Sequence, residues 1–422
     1  MESARGEAVH RLEAPHRSSP RPPVPDASPS KPKLVFLATE DWFFASHFLP
    51  MVRAGRDAGL DVVVAARFAR HRDRIEAAGA RTVPLDMERG GGWLLGPLRA
   101  FLRTLRLLRA EQPAIVHAIS LRAVLLGGLA RRLSGGGPTV QAITGLGVVG
   151  ADEGWRGRLA RRLFRHLLRR TFAPKGAAFL FENEEDARWL GLDRTMPDAV
   201  FVPGAGVDPA AYPQTPLPAG RTLRVALVSR MLWSKGVDVA VEAVRRARRG
   251  GADVTLSLYG APDPANPRAI PEADLRRWGT EDGIEWHGPT SDVAGVWREH
   301  HVACLPSRGG EGLPRALLEA ACCGRPIVAT MVPGCTALVR DGKDGLLVPP
   351  GDPEALAAAF AQLAADRPLA GAMGDAAARR VREGFTEDHV AAIVEALYRR
   401  LLGQPPQPAA TISRTSGATL VP

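Results

Sequence analysis

A series of short apolar runs, each followed by an amphipathic segment, constrains this chain more than any other feature. From Lys33 the runs read LVFLAT (34–39), DVVVAA (61–66), TVPL (82–85), AIVHAI (114–119), PTVQAI (138–143), AAFLF (177–181) and DAVFVP (198–203). Helical patterns separate them, the first extending from the end of the first run to about Ala58. Such alternation predicts βαβ units, and hence a mostly parallel sheet covered by helices on both faces. The pattern stops in GAGVDPAAYPQTPLPAG (204–220), a Pro- and Gly-rich stretch without periodicity, which is read as an interdomain linker. It restarts with TLRVALVS (222–229), VTLSLYG (254–260), IEWHG (284–288), HVACLP (301–306), RPIVAT (325–330) and GLLVP (345–349). The fold class is therefore α/β, with two Rossmann-like domains in series and a cleft between them. Open α/β sheets bind ligands at the carboxyl ends of their strands, so function is sought in the loops that follow strands.

The chain has 422 residues, of which 45% are hydrophobic and 24% charged, an ordinary globular composition. Residues 1–32 and 403–422 have little to bury and read as flexible tails. Between them the expected organisation is one Rossmann-like domain over 33–205 and a second over 206–385, with a last helix over 387–402. Four cysteines, Cys304, Cys322, Cys323 and Cys335, form no C-x-x-C pair and suggest neither disulfides nor zinc. The N-terminus lacks the apolar stretch of a signal peptide, and no apolar run is long enough for a membrane span. The expected location is cytoplasmic, on the inner face of the plasma membrane.

A formal net charge of +10 favours an anionic partner. Two basic amphipathic segments, 97–109 and 155–172, concentrate arginine on the first domain. Their apolar stripes suit packing on the sheet, while the arginines suit an anionic surface, whether phospholipid or a glycan carried on a polyprenyl diphosphate. Nucleic acid is not expected, because aromatic residues are only 6% and do not interleave with the arginines.

Two loops carry the chemistry. After TLRVALVS comes R-M-L-W-S-K-G, placing Arg230 at a strand end and Lys235 at the start of a helix, where an anion is favoured. After HVACLP comes SRGGEGLPRALLEAACCG, with glycines for a tight turn, Pro314 for a helix start, Glu311 in the loop and Glu319 on the helix. Carboxylates so placed can bind vicinal diols; a solvated Arg and Lys, an electrostatic cap at Glu311 and a surface Glu319 are the plain alternatives.

These motifs, with G-R-P-I-V-A-T, P-G-C and D-G-L-L-V-P-P-G-D following in order, resemble the C-terminal domain of retaining GT-B glycosyltransferases of the large family 4, or group 1. The likeness is strong over about 222–365. The segments 39–50, 116–120 and 142–147 more weakly resemble the bacterial members that build lipid-linked surface glycans. The resemblance implies a retaining hexosyl- or N-acetylhexosaminyltransferase, independent of metal and without a cofactor, that uses a nucleotide sugar, by subgroup a UDP-sugar, as co-substrate. It implies that Arg230 and Lys235 neutralise the donor diphosphate, that Glu311 lies by the donor sugar, and that Glu319 holds the ribose. The backbone of Gly312, Leu313 and Pro314 would line the sugar and phosphate pocket. The acceptor implied is a lipid-linked or glycan acceptor in exopolysaccharide, capsule or O-antigen synthesis.

The chain departs from many relatives after the first strand, where Glu40 to His47 replace a Gly-rich loop. After the fifth strand, Thr144, Gly145, Leu146 and Gly147 stand where many relatives have a histidine. Gly145 and Gly147 permit either close backbone approach to a ligand or a simple turn. Asp41, His47 and His117 are the acceptor-side candidates. A sugar-nucleotide epimerase of the same fold, or a non-catalytic membrane-surface protein, would account for parts of the pattern.

Overall fold

The computed structural model describes residues 31–87, 95–144, 176–263 and 266–405, together with Arg162, Arg165, His166 and Leu168. The first sheet orders its strands β3-β2-β1-β4-β5-β6-β7. These are β1 (Lys33–Glu40), β2 (Asp61–Arg67), β3 (Arg81–Pro84), β4 (Ile115–Ile119), β5 (Thr139–Ile143), β6 (Ala177–Phe181) and β7 (Ala199–Phe201). The second sheet runs β10-β9-β8-β11-β12-β13. Its strands are β8 (Leu223–Val228), β9 (Val254–Tyr259), β10 (Ile284–Gly288), β11 (Val302–Leu305), β12 (Ile327–Thr330) and β13 (Gly345–Val348). All neighbouring pairs are parallel. Each apolar run read from the sequence forms a strand, with ends displaced by two residues at most.

The runs lack alternation because both faces of each sheet are covered. Leu34 and Phe36 of β1 pack with Val62, Val64, Val394 and Tyr398 on one face. Val35 and Leu37 pack with Val63, Ala65, Leu108 and Phe179 on the other. Each such side chain contributes roughly 1.5–3 kcal/mol through burial, so neither face of the strand tolerates a polar residue.

One expected helix is two. Asp41–His47 ends before Phe48, and Leu49–Asp57 begins beyond it with Pro50 in its first turn. Pro50 has no N–H to continue the first helix, which is the physical reason for the break. The linker is anchored from below by the buried guanidinium of Arg325, which donates to Thr215 Oγ1 (2.6 Å), the Pro216 carbonyl (3.1 Å) and the His300 carbonyl (3.2 Å). The last helix, Glu387–Leu401, is capped by Thr386 and packs on Leu49–Asp57 through Val390, Val394, Leu397 and Tyr398.

Strand order reverses between β1 and β4 in the first sheet and between β8 and β11 in the second. A crevice opens where neighbouring connections leave on opposite sides, so the loops after β8 and β11 are the first place to look for a ligand.

Candidate functional site

The loop after β8 passes Arg230 and tightens into a 3₁₀ turn, Trp233–Lys235, which Gly236 closes in the left-handed conformation (φ 70°). The loop after β11 runs from Pro306 to Pro314 and enters the helix Arg315–Cys322. The two loops are tied together. The Arg308 N–H donates to the Ser234 carbonyl at 2.8 Å, and its guanidinium grips both Asp238 oxygens at 2.8 and 2.7 Å and also reaches the Trp233 carbonyl. A Cβ at Gly236 would collide with the Pro306 carbonyl oxygen, so only glycine lets the loops approach this closely.

This tie brings together two residues singled out in the sequence. Lys235 Nζ lies 2.7 Å from each oxygen of Glu311, and Ser307 Oγ donates to Glu311 Oε1 at 2.7 Å. The pair is largely buried, with side-chain exposures of 19% and 9%. Both oxygens of Glu311 are thereby held by one ammonium, which carries three N–H donors in all. Arg230 is half exposed and meets Asp263 at 3.3 Å.

Glu319 lies on the helix but is buried, not solvated. Its Oε1 accepts from Arg315 Nε at 2.7 Å and from the Tyr212 hydroxyl at 2.9 Å. Burial raises the Glu319 carboxyl above its usual range, against the pull of Arg315 and Tyr212.

From the first domain, Glu182 reaches across at the end of β6. Its Oε2 accepts from the Leu313 N–H at 2.9 Å. A Cβ at Gly312 would collide with that same oxygen and press to 3.1 Å from the Thr144 carbonyl. Burial, with Asp186 and Glu311 nearby, pushes the Glu182 carboxyl up to about 7, against the Leu313 N–H.

His47, the last residue of its helix, faces the same place. Burial first, and then the positive charge of Arg315, Arg230 and Lys235, push its imidazole down to about 4. It is therefore neutral near pH 7, with Nδ1 2.5 Å from Ser46 Oγ.

Two acceptor-side expectations are corrected. Asp41 is fully buried, and its Oδ2 accepts from the N–H groups of Ala69, Arg70 and His71 at 2.7, 2.9 and 2.9 Å. It holds a loop instead of presenting a carboxylate to the cleft. His117 sits mid-strand in β4, fully buried, 2.7 Å from the Tyr398 hydroxyl and with its ring 4.9 Å from that of Phe36. The last helix covers it, and burial pushes its imidazole down to about 3. Gly145 and Gly147 lie outside the described residues, as does most of 155–172.

Glu182, Ser307, Arg308, Arg315 and Tyr212 escaped the sequence reading. Glu182 and Ser307 carry a usable signal, since each stands within two residues of a buried strand's carboxyl end. Arg315 stands inside the motif between Glu311 and Glu319. Tyr212 lies in an aperiodic linker and carries no signal. A cavity of about 710 Å³, bordered by Thr215, Leu217, Pro218, His301 and Arg367, contains none of these residues and opens at the amino end of the second sheet.

The family model described as "Glycosyl transferases group 1" matches residues 222–366, and that described as "Glycosyl transferase 4-like" matches 33–173. The chain is 30% identical over 243 residues to an exopolysaccharide phosphotransferase of Streptomyces coelicolor, covering 56% of this chain and 24% of that protein. It is 33% identical over 186 residues to the putative colanic acid biosynthesis glycosyltransferase WcaL of Salmonella typhimurium, covering 41% and 45%. The chain thus spans less than half the length of either curated relative. Among solved structures, Anabaena HepE in complex with UDP-glucose superposes with a TM-score of 0.69 at 16% identity, over 88% of this chain and 99% of that one. At that identity the likeness is one of fold.

Proposed function

This chain belongs to the glycosyltransferases, its first domain matching the 4-like family and its second group 1, in the GT-B fold, and from that premise we propose a retaining, metal-independent sugar transfer from a nucleoside-diphosphate donor. The donor we favour is a UDP-sugar. The acceptor is a lipid-linked or other glycan in exopolysaccharide, capsule or O-antigen synthesis, and the place is the cytoplasmic face of the plasma membrane.

One observation carries the reading: Lys235, clamped by Glu311 at the β8/β11 switch point, with Arg230 after the same strand. In the reaction the bond from the anomeric carbon to the phosphate oxygen breaks, and negative charge grows on the leaving diphosphate. Fixed cations at that point stabilise the developing charge. The acceptor hydroxyl forms the new bond on the face the phosphate leaves, and its proton passes to a phosphate oxygen. In this reading Glu311, held by Lys235 and Ser307, orients the sugar hydroxyls, and neutral His47 hydrogen-bonds the acceptor. Glu319 takes the ribose.

The helix Leu95–Glu111 supports the membrane part. Ala100, Thr104, Leu105 and Leu108 are buried, while Leu98 and Leu102 are 53% and 38% exposed among Arg99, Arg103 and Arg106. Exposed leucines amid arginines suit an anionic bilayer surface, at roughly 1 kcal/mol per basic residue. Among the described residues no helix is long and apolar enough to cross a membrane.

The test is a binding titration of UDP, GDP, ADP and their common sugar conjugates with EDTA present, on the natural protein and on Lys235→Ala. The expected result is one nucleotide class bound without metal, with affinity reduced at least tenfold by the substitution. Incubation with the matching sugar nucleotide should then move sugar to a membrane-lipid extract. Isomerised donor without any acceptor product would point to an epimerase, and silence across the panel would overturn the donor site.

A further inference from the structure

A hydroxyl from the interdomain linker ends on the carboxylate that the donor reading assigns to the ribose. Tyr212 belongs to the aperiodic stretch between the two sheets, 107 positions before its partner, yet its hydroxyl donates to Glu319 Oε1 at 2.9 Å. Arg315 Nε donates to the same oxygen at 2.7 Å. Oε1 is thus occupied from two directions, while Oε2 has no partner among the described residues. Two donors on one oxygen fix the plane of a carboxylate and leave its other oxygen as the free acceptor.

We infer that Tyr212 is a positioning residue for the ribose: by holding Glu319 Oε1 together with Arg315, it sets Oε2 to accept from a ribose hydroxyl of the donor. The inference rests on the donor reading above and deepens it. The linker's aromatic ring is partly buried against the core of the second domain, and packing alone would account for the ring. It does not account for the hydroxyl, which finds the one carboxylate on that helix. Burial first, and then the charge of Glu319 beside it, raise the Tyr212 phenol well above its ordinary value, so the proton stays on the tyrosine and the bond keeps its direction.

The experiment compares affinities for ribose and deoxyribose nucleotides. UDP and 2′-deoxy-UDP are titrated against the natural protein, Tyr212→Phe and Arg315→Lys, with GDP and 2′-deoxy-GDP in parallel. The natural protein is expected to prefer the ribonucleotide roughly tenfold, the effect of one hydrogen bond to a charged group. Tyr212→Phe should shrink that preference several-fold while leaving the deoxynucleotide affinity within about twofold, at unchanged Tm. Loss of ring packing would weaken both nucleotides alike, so the ratio separates positioning from structure. An intact preference in Tyr212→Phe overturns the inference while leaving the ribose assignment standing. Should that variant fold poorly, Arg315→Lys, which retains the charge but disturbs the other donor, decides by the same ratio. No preference in the natural protein overturns the ribose role of Glu319, and the inference with it.

Discussion

Three backbone N–H groups, those of Ala69, Arg70 and His71, end on one oxygen of Asp41. Burial works to raise this carboxyl, but those hydrogen bonds outweigh it and hold the group below its usual range. A depressed folded value means stability that is present above the unfolded value of 3.8 and lost as pH falls through the folded one. Asp41→Ala is therefore expected to cost about 1–3 kcal/mol in urea unfolding at pH 7, with the gap closing below pH 3.8 and nucleotide affinity unchanged. A variant of natural stability that failed only in acceptor transfer would reinstate Asp41 as an acceptor residue. The sequence did not disclose this, because a carboxylate after a strand reads the same whether it awaits a ligand or closes a loop. His117 misleads for the same reason, its partner Tyr398 being 281 positions away. Lys235 and Glu311 were legible because each stands in a loop whose strand, glycines and following helix are all local signals.

At the scale of elements, strands were the most legible part, since a run buried on both faces needs no alternation and little context. The approach of one loop to another was not legible, and Gly236 shows why. Its φ of 70° belongs to the turn around it, but its need for no side chain comes from the Pro306 carbonyl, seventy positions on. Gly236→Ala should cost about 2–4 kcal/mol, because left-handed backbone is disfavoured by about 1–2 kcal/mol before the collision is counted. It should also weaken nucleotide binding by moving Lys235, the residue before it. Gly59 is the control, with a φ of 82° and open space around it. Gly59→Ala carries the conformational cost alone, so thermal melts and nucleotide titrations of both variants separate strain from collision. Equal losses would show that the Pro306 contact does not constrain the loop.

For the whole molecule, the cleft is closed by contacts between domains that no local pattern announces. Glu182 is the clearest, leaving β6 of the first sheet to accept from the Leu313 N–H in the loop of the second. Its carboxyl, raised to about 7 by burial with help from Asp186 and Glu311, takes up a proton where an unfolded glutamate, at 4.5, has released one. Between those values the folded chain binds more protons than the unfolded one, so stability falls as pH rises through the window and stays lowered above it. Glu182→Gln keeps a carbonyl oxygen for the Leu313 N–H and removes the titration. The variant should match the natural protein near pH 4, draw ahead as pH rises through 4.5 to 7, and keep its lead at pH 8. Every other titrating group is common to the two proteins and cancels in the difference. Urea unfolding of both proteins at pH 4, 6 and 8 checks it, and parallel stability curves would mean that the junction between the domains does not hold Glu182 as described. A lead that appears instead ties proton uptake to the same contact that brings the first domain against the loop after β11, since Leu313 is the residue through which Glu182 touches it.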